Sequence, residues 1–244
     1  MSRTVGIIQA RVGSTRLPGK VLMPISGEPM LAHVVARTRR SARLDETVVA
    51  TTTLPEDEAI VELGRERGWA ISRGSEQDLL DRFVQTARTH HADIVVRITS
   101  DCPLIDPQLI DATVERFLEA GVDYASNSLE PRTYPRGLDV EVVTRDALEL
   151  AWRYDDRPEW REHATPYIYR HPERFRLLRV AGDEDHSEHR WSVDTPEDLE
   201  LVRRIFHAIG PAESDWRVAL AAVEATPEWL EINRHVPQKS VPPA

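Results

Sequence analysis

A loop rich in cations and glycines follows the first apolar segment of the chain, which runs from Val5 to Ile8. The residues after this segment combine charged, hydroxyl and glycine positions, in the order Arg11, Gly13, Ser14, Thr15, Arg16, Gly19 and Lys20. Glycines let backbone N–H groups approach oxygen atoms, and guanidinium and ammonium groups neutralise the charge that those oxygens carry. The segment therefore predicts a polyphosphate-binding loop.

Lys20 carries extra weight in this loop because the chain uses arginine almost everywhere else. Of its 31 Lys and Arg residues, only Lys20 and Lys239 are lysines. A compact ammonium is a point charge, and a planar guanidinium is not its equivalent. This usage indicates that position 20 requires a lysine for function, although chance retention is the alternative.

Two common phosphate loops do not fit this segment. A Walker A loop has four residues between its glycines and Ser or Thr after its lysine, whereas five residues separate Gly13 from Gly19 and Val21 follows Lys20. A dinucleotide-binding Gly-x-Gly-x-x-Gly directly after the strand is also absent. An ordinary surface loop would explain Gly and Pro but not the density of cations, so another kind of nucleotide-phosphate loop is predicted.

An aspartate follows a predicted central strand at Asp93–Thr99. In open α/β sheets, ligands bind just outside the carboxyl ends of the strands, and Asp101 lies there in the segment Ser-Asp-Cys-Pro. It could hold a divalent cation, or it could be a turn aspartate that accepts from backbone N–H groups. Asp106 precedes Pro107 at a predicted helix start, so it is assigned as a helix cap.

Asp194 follows a second predicted strand, Trp191–Val193, and would face the same edge if that strand joins the sheet. Its sequence context, Asp-Thr-Pro-Glu-Asp, also resembles a helix N-terminus. Because Thr195 can serve as the cap, Asp194 is left available. Two aspartates suit Mg²⁺, which takes few carboxylates and completes its shell with water and phosphate oxygens.

These groups together predict metal-assisted attack on the α-phosphate of a nucleoside triphosphate. Lys20 and the metal would stabilise charge at the α-phosphoryl group, and Arg11 and Arg16 would hold the departing pyrophosphate. Such chemistry depends on positioning and charge neutralisation, so no covalent nucleophile is expected.

Composition sets the broad class of the chain. Its 244 residues, 41% hydrophobic and 30% charged, are typical of a globular protein with a substantial core. A net charge of −10 argues against a general nucleic-acid or membrane surface. A single cysteine excludes an internal disulfide, and neither a signal peptide nor a membrane-spanning run is found. We expect a cytoplasmic protein with neither nucleic acid nor membrane as a partner.

Strand and helix patterns alternate along the first half of the chain, which predicts a mainly parallel sheet with helices on both faces. The predicted elements are strands at Val5–Ala10, Thr47–Thr51, Ala70–Ser72 and Asp93–Thr99, and helices at Pro29–Arg40, Glu56–Arg67, Leu79–His90 and 107–120. After Tyr124 the rhythm changes, with an extended stretch at Leu138–Val143 and a strand near Arg176–Val180. Later helices are predicted at Arg145–Trp152, Glu159–His171, 195–209, Trp216–Val223 and Pro227–Asn233. We expect one domain, 1–244, with an acceptor-facing and dimerisation part at about 124–190 and C-terminal helices and tail at about 211–244.

Six ordered motifs give the chain a family resemblance. They are Ile-Gln-Ala-Arg-x-Gly-Ser-Thr-Arg-Leu-Pro-Gly-Lys, Arg-Gly-Ser-Glu-x-Asp-Leu-Leu-Asp-Arg (73–82), Asp-Cys-Pro-Leu-Ile-Asp, Gly-Leu-Asp-Val-Glu (137–141), Arg-Glu-His-x-Thr-Pro-Tyr-Ile (161–168) and Arg-Trp-Ser-Val-Asp-Thr-Pro-Glu-Asp-Leu. The chain resembles the cytidylyltransferase-like proteins of spore-coat polysaccharide biosynthesis, which are similar to the synthetases of CMP-octulosonate and CMP-sialic acids. The resemblance implies a GT-A-like nucleotidyltransferase fold, Mg²⁺ and CTP.

The resemblance also implies roles for individual residues. By that resemblance, Asp101 and Asp194 would bind the metal, and Arg11 and Lys20 would contact the triphosphate. Together with Arg16, assigned above from the loop itself, these two cations are the predicted catalytic residues Lys20, Arg11 and Arg16. Nucleotide contacts are expected from Gln9, Ala10, Arg11, Gly13, Ser14, Arg16, Lys20, Arg73 and Ser100. Ser100 and Cys102 depart from the Gly-Asp-Glu-Pro of the octulosonate synthetases, which leaves the acceptor side open.

A polar set in the second half of the chain is the expected acceptor site. Its arginines suit a carboxylate, phosphate or phosphonate, and its acids could accept from sugar hydroxyls; a solvated face with ion pairs is the alternative. The members are Tyr134, Arg136, Asp139, Glu141, Arg161, His163 and Arg190, with Arg132 beside them. His163 could equally be a core or interface residue.

The leading prediction is transfer of CMP from CTP to an acidic sugar or a phosphate- or phosphonate-bearing acceptor, with release of pyrophosphate. The alternatives are a nucleotidyltransferase for another triphosphate, a GT-A glycosyltransferase, and a catalytically silent nucleotide-binding protein. A homodimer is also expected, through the aromatic residues Trp152, Tyr154, Trp160, Tyr167 and Tyr169, for which core packing is the alternative.

Overall fold

The computed structural model describes residues 2–238, and within them seven strands form one sheet. The strands are β1 (Thr4–Gln9), β4 (Glu46–Thr52), β5 (Ala70–Gly74), β6 (Ile94–Thr99), β7 (Tyr124–Ser126), β8 (Glu141–Thr144) and β9 (Leu177–Arg179), with β2 (Pro24–Ile25) and β3 (Glu28–Pro29) forming a separate small hairpin. The order across the sheet is β5-β4-β1-β6-β8-β7-β9. Neighbouring strands are parallel, except that β8 is antiparallel to both β6 and β7.

Helices connect the strands and follow the last of them. In the part of the chain that the structure describes, they are α1 (Met30–Thr38), α2 (Glu58–Glu66), α3 (Leu79–Thr89), α4 (Pro107–Ala120), α5 (Arg145–Tyr154), α6 (Pro158–Arg161), α7 (Pro166–Tyr169), α8 (Pro196–Ile209), α9 (Trp216–Glu224) and α10 (Leu230–Asn233). Short 3-10 turns lie at Lys20–Leu22, Pro55–Asp57 and Pro227–Trp229.

Two hydrophobic clusters lie on the two faces of the sheet. Successive side chains of a strand point to opposite faces, and β1 shows this directly. Ile8 belongs to the cluster that contains Leu31 of α1, whereas Ile7 belongs to the cluster that contains Phe83 of α3 and Leu148 of α5. The prediction of a mainly parallel sheet with helices on both faces is therefore confirmed.

The predicted helix caps are also confirmed. The Asp106 carboxylate accepts hydrogen bonds from the backbone N–H groups of Gln108 at 2.6 Å and Leu109 at 3.2 Å, which fixes the start of α4. Gly121 ends that helix with a left-handed φ of 60°. Thr195 caps α8 in a capping box with Asp198, so Asp194 is not needed as the cap.

The prediction of a single helix over Glu159–His171 is wrong. Two short helices, α6 and α7, replace it, because Ala164 adopts a left-handed φ of 66° directly before the Thr165–Pro166 step. A non-glycine residue in the left-handed region cannot continue a right-handed helix, so the chain turns at Ala164. The turn places Thr165 beside β8, where its hydroxyl donates to Glu141 at 2.6 Å.

The prediction that Trp191–Val193 is a strand ending at Asp194 is also wrong. The neighbouring Arg190 makes only an isolated bridge with Arg136, and residues 191–193 form none of the strands of the described chain. The segment still passes the carboxyl end of β6, because the Val193 N–H donates to the Asp101 carbonyl at 2.8 Å. Asp194 thus reaches the expected edge of the sheet without a strand to carry it.

Candidate active site

A buried aspartate, Asp57, anchors the cationic loop after β1 through hydrogen bonds. Asp57 is 1% exposed, and its carboxylate accepts from the Val12 N–H at 2.6 Å and from the Thr52 hydroxyl. The loop closes where the Gly19 N–H donates to the Val12 carbonyl at 3.1 Å. A left-handed φ of 72° at Gly19 then directs the chain into the 3-10 turn that begins at Lys20.

Lys20 connects the two aspartates that the sequence singled out. Its Nζ donates to Asp101 Oδ2 at 2.9 Å, to Asp194 Oδ1 at 2.9 Å and to the Val193 carbonyl at 2.7 Å. Burial alone would lower the pKa of Lys20, but the two carboxylates outweigh burial and the pKa is raised. The ammonium is therefore charged, and the three groups form one cluster.

The Asp101 carboxylate is ionised for the same reason. Burial would raise its pKa, but the charge and the hydrogen bond of Lys20 lower it to about 2. Burial also raises the pKa of the neighbouring Cys102 thiol well above its usual value. The cysteine is therefore a neutral thiol at neutral pH.

Two arginines orient the Asp194 carboxylate. Its Oδ2 lies 3.0 Å from Arg16 and 2.8 Å from Arg190. Arg190 in turn pairs at 2.9 Å with Asp198, which is fully buried. Asp198 also accepts from the backbone N–H groups of Asp194 at 3.0 Å and Thr195 at 3.1 Å, and so it fixes the peptide that carries Asp194.

The cluster lies in a cleft of about 410 Å³ at the carboxyl ends of β1 and β6. Most of the sequence-predicted site residues line it, namely Gln9, Ala10, Arg11, Gly13, Ser14, Arg16, Lys20, Ser100, Asp101, Arg136, Asp139, Glu141, His163 and Asp194. Residues of the predicted phosphate loop and four of the seven predicted acceptor residues therefore line the same cavity.

Four of the predicted residues lie outside the lining of this cleft. Arg73 pairs with Glu58 at 2.7 Å and joins β5 to α2. Tyr134 packs edge-on against Trp216, with ring centroids 5.7 Å apart. The side chains of Arg161 and Arg190 are engaged by Asp78 at 2.7 Å and by Asp194 and Asp198, respectively.

The acceptor side of the cleft is built around a buried ion pair. Arg97 on β6 pairs with Glu141 on β8, and its Nε donates to Gln9 at 2.8 Å. The other Glu141 oxygen accepts from the hydroxyls of Tyr124 at 2.7 Å and Thr165 at 2.6 Å. Glu141 is thus fully engaged with protein partners, and its orientation is fixed.

Arg136 differs from the other arginines of this side. Arg132 is paired with Asp139 at 2.6 Å, whereas the Arg136 guanidinium makes no hydrogen bond or ion pair with any residue of 2–238. Burial and then the positive charge of Arg132 lower the pKa of Arg136. A half-buried cation that lines a cleft beside a like charge is well suited to an anionic ligand.

The cleft lining also contains residues that were not predicted as site residues. Among them are Arg82 and Arg97, together with Glu76, Thr99, Glu162 and Gln238. Burial, followed by the charge of Arg11, lowers the pKa of Arg82 to about 10. Both arginines had a signal in the sequence: Arg82 closes the motif at 73–82, and Arg97 is a charge inside an apolar strand.

The cleft offers carboxylates as possible ligands for a divalent cation. Within residues 2–238, no group of three or more His, Cys, Asp or Glu side chains is arranged to hold a metal. Asp101 and Asp194 do converge, because both lie 2.9 Å from the same nitrogen. Two carboxylates fit Mg²⁺, provided that water and phosphate oxygens complete its shell.

Comparison with known proteins assigns the family. The cytidylyltransferase family model matches residues 5–224, which is most of the chain. The chain belongs to the cytidylyltransferase family. Its members are nucleotidyltransferases that use CTP.

Individual relatives support this assignment over nearly the whole length of the cytidylyltransferase. The spore coat polysaccharide biosynthesis protein SpsF of Bacillus subtilis is 33% identical, covering 86% of this chain and 89% of its own. A solved cytidylyltransferase from Leptospira borgpetersenii superposes with a TM-score of 0.87 at 31% identity and covers 98% of this chain and 100% of its own.

A more distant likeness concerns the fold alone. A CMP:2-keto-3-deoxy-manno-octonic acid synthetase complexed with CTP superposes with a TM-score of 0.65 at 24% identity, covering 84% of this chain and 99% of its own. The nucleotidyltransferase-like fold expected from the sequence is thus confirmed. Separately, none of the helices in the described part of the cytidylyltransferase has the length and apolar character needed to cross a bilayer.

Proposed function

We propose that this cytidylyltransferase transfers CMP from CTP to an acidic sugar or to an acceptor bearing a phosphate or phosphonate, with Mg²⁺ as cofactor and pyrophosphate as the second product. The observation that carries the proposal is the convergence of Lys20, Asp101 and Asp194 beside the cationic loop. The oxygen ligands of a metal and the cations for a triphosphate are present in one cleft.

The chain's own residues account for most of the chemistry. An acceptor oxygen attacks the α-phosphorus, a new P–O bond forms, and the bond to the β-phosphate oxygen breaks to release pyrophosphate. Lys20 stabilises the charge on the α-phosphoryl oxygens, and Arg11 and Arg16 hold the leaving pyrophosphate. Arg11 is available for this role because its ion pairs with Glu76 and Glu162 are long, at 3.8 Å each.

Asp101 and Asp194 would hold the metal. Mg²⁺ held there would supply positive charge that offsets the charge of the triphosphate. The further nucleotide contacts proposed for Gln9, Ala10, Gly13, Ser14 and Ser100 agree with their place in the cleft lining, whereas Arg73 would have to leave Glu58 to reach it.

Arg136 is the proposed anchor for the acceptor's anionic group. Its guanidinium lines the cleft unpaired within the described chain and can bind a carboxylate or phosphate through two parallel hydrogen bonds. Asp139, Glu141 and His163 line the same side. An acceptor that already carries an anionic oxygen as its nucleophile requires no strong general base.

A binding experiment without acceptor tests the nucleotide half of the proposal. Thermal unfolding is followed with CTP, UTP, GTP or ATP, each with and without Mg²⁺. Ligand at a hundred times its Kd adds roughly 2.7 kcal/mol of stability. We expect a Mg²⁺-dependent increase in Tm for CTP, which a Lys20→Ala variant loses.

A pyrophosphate-release assay with a panel of acidic sugars, sugar phosphates and phosphonates tests the acceptor half. Release that needs both CTP and one acceptor supports the proposal and names the acceptor class. Preference for another triphosphate would replace the cytidylyl assignment, and CTP binding without release from any acceptor would favour a silent nucleotide-binding protein.

A further inference from the structure

The Lys20 ammonium uses all of its hydrogen-bonding capacity inside the proposed metal site. An ammonium has three N–H donors, and Lys20 directs them to Asp101, Asp194 and the Val193 carbonyl at 2.7 to 2.9 Å. Its side chain is only 11% exposed. One oxygen of each carboxylate that would bind a metal is thereby already bound to a cation.

The charges around this ammonium are balanced. Three cations, Lys20, Arg16 and Arg190, surround three carboxylates, which belong to Asp101, Asp194 and Asp198. A divalent cation that enters this cluster alone finds no uncompensated negative charge. It must also displace the ammonium, which then loses two carboxylates and a carbonyl in a partly buried position, at a substantial cost.

A triphosphate changes this balance, because it brings several negative charges next to the loop that carries Lys20 and Arg16. The displaced ammonium then has phosphate oxygens to bind, and the divalent cation has both carboxylates and phosphate oxygens as ligands. Displacement of Lys20 therefore couples binding of the triphosphate to binding of the divalent cation.

We propose that Lys20 is a built-in counter-ion that competes with the divalent cation for Asp101 and Asp194, so that the cation binds tightly only together with the nucleotide. The inference rests on the proposed function for its nucleotide part. The coupling is mutual, because a ligand that releases Lys20 from the carboxylates favours the cation to the same degree as the cation favours that ligand.

Binding of Mn²⁺ to nucleotide-free protein tests the competition. Electron paramagnetic resonance measures free Mn²⁺ during titration of the wild type, Lys20→Met and the control Arg204→Met. The control removes the same charge from a half-exposed pair with Glu200 on α8. We expect Lys20→Met to bind one equivalent of Mn²⁺ roughly tenfold to a hundredfold more tightly than the wild type or the control.

Additional variants locate the binding site and guard against misfolding. Adding Asp101→Asn to Lys20→Met should remove the gained Mn²⁺ affinity, and Mn²⁺ should raise the Tm of Lys20→Met but leave that of the wild type unchanged. Lys20→Gln, which keeps a polar group in the pocket, replaces Lys20→Met if the latter does not unfold cooperatively.

Equal Mn²⁺ affinity in the wild type and the Lys20 variants would overturn the inference, and so would tight stoichiometric binding of Mn²⁺ to the nucleotide-free wild type. Both results would leave CTP turnover untouched. Conversely, a protein that turns over no CTP can still show the Lys20-dependent difference in Mn²⁺ binding, so the two failures are distinguishable.

Discussion

Asp57 joins parts of the chain that are far apart in sequence. It lies in the 3-10 turn before α2, yet its carboxylate accepts from the backbone of Val12 in the cationic loop and from Thr52 at the end of β4. No side chain of the loop itself makes these contacts. The shape of the predicted phosphate loop therefore depends partly on a residue outside the cleft lining.

Replacing Asp57 tests this dependence. Asp57→Ala leaves the Val12 N–H unpaired and is expected to lower the free energy of unfolding by about 1–3 kcal/mol and to weaken CTP binding. Asp57→Asn keeps an oxygen acceptor for Val12 and is the matched control, with a smaller loss. Chemical denaturation and a CTP titration measure the two effects; unchanged CTP affinity in Asp57→Ala would show that the loop holds its shape unaided.

Arg136 gives a second prediction at the scale of a single residue. Arg136→Met should raise the KM for the acceptor roughly tenfold to a hundredfold, because a hydrogen-bonded ion pair contributes about 1.5–3 kcal/mol. The KM for CTP should stay unchanged, since the triphosphate is proposed to bind through the loop that carries Arg11 and Arg16. Steady-state kinetics separate the two, and Arg116→Met, which removes a guanidinium bonded to the Ala181 carbonyl, is the control.

At the scale of the elements, the buried Asp198 carboxylate holds α8, α10 and the loop that carries Asp194 together. Besides capping α8 and pairing with Arg190, it accepts from Asn233 of α10 at 2.8 Å. The Asn233 amide also donates to the Arg190 carbonyl at 2.9 Å. The Asp198 carboxylate thus links α8 and α10 to the loop that carries Asp194, the proposed metal ligand.

These contacts of Asp198 predict that the difference in stability between the wild type and Asp198→Asn depends on pH. Burial would raise the pKa of Asp198, but its bonds to Arg190 and Asn233 outweigh burial and lower it below the 3.8 of an unperturbed aspartate. A lowered folded-state pKa means that the stabilisation is complete above pH 3.8 and is lost as the pH falls through the folded-state value. Asp198→Asn should cost about 3–5 kcal/mol at neutral pH.

Urea unfolding of both proteins from neutral to acid pH checks the sign. The free-energy gap between wild type and Asp198→Asn should be constant above the unperturbed pKa and shrink in acid. A gap that grows as the pH falls would contradict the assignment of Asp198 as an ionised carboxylate that stabilises the fold.

Sequence patterns predicted most of the elements together with Asp101 and Asp194, but not the pairings of the arginines. Glycine spacing and strand periodicity are local, so the phosphate loop and Asp101 could be placed from neighbouring residues alone. Arg161 and Arg73 were expected to bind ligands, yet they lie with Asp78 and Glu58. With 41 acidic residues in the chain, tertiary packing decides which acid each arginine meets.

The wrong prediction of a strand at Trp191–Val193 has a related cause. Apolar residues at Trp191 and Val193 suggested a strand, because burial is common to strands and to buried loops. Both are fully buried in the cluster that contains Ile8, but without strand partners. Asp194 reaches the site through this loop, and only the fold shows that the loop runs beside the end of β6.

At the scale of the whole molecule, the cleft differs in charge from the surface around it. The chain carries a net charge of −10, whereas the cleft lining has as many cations as anions: Arg11, Arg16, Lys20, Arg82, Arg97 and Arg136 against Glu76, Asp101, Asp139, Glu141, Glu162 and Asp194. Because the protein as a whole repels anions, we expect added salt to increase the association rate of CTP in stopped-flow measurements. A rate that falls with salt would show local steering by the loop.

The assembly of the molecule remains a prediction that light scattering can test. Trp160 and Tyr167, expected at a dimer interface, are buried in the core, whereas Tyr154 is 59% exposed. We expect a mass near twice 27.8 kDa, and Tyr154→Glu should reduce it towards that of one chain. A wild-type mass of one chain would refute the homodimer.

The scarcity of lysine has a practical consequence for watching this site. The side-chain amines of the entire protein are those of Lys20 and Lys239, so an acylating reagent followed by peptide mass spectrometry can follow Lys20 by itself. While the ammonium stays between its two carboxylates, it is charged and shielded, and acylation is slow. A ligand that displaces the ammonium from the carboxylates should expose it to the reagent and accelerate labelling. The rate of acylation at Lys20 therefore reports whether this nitrogen atom lies between the two aspartates or away from them.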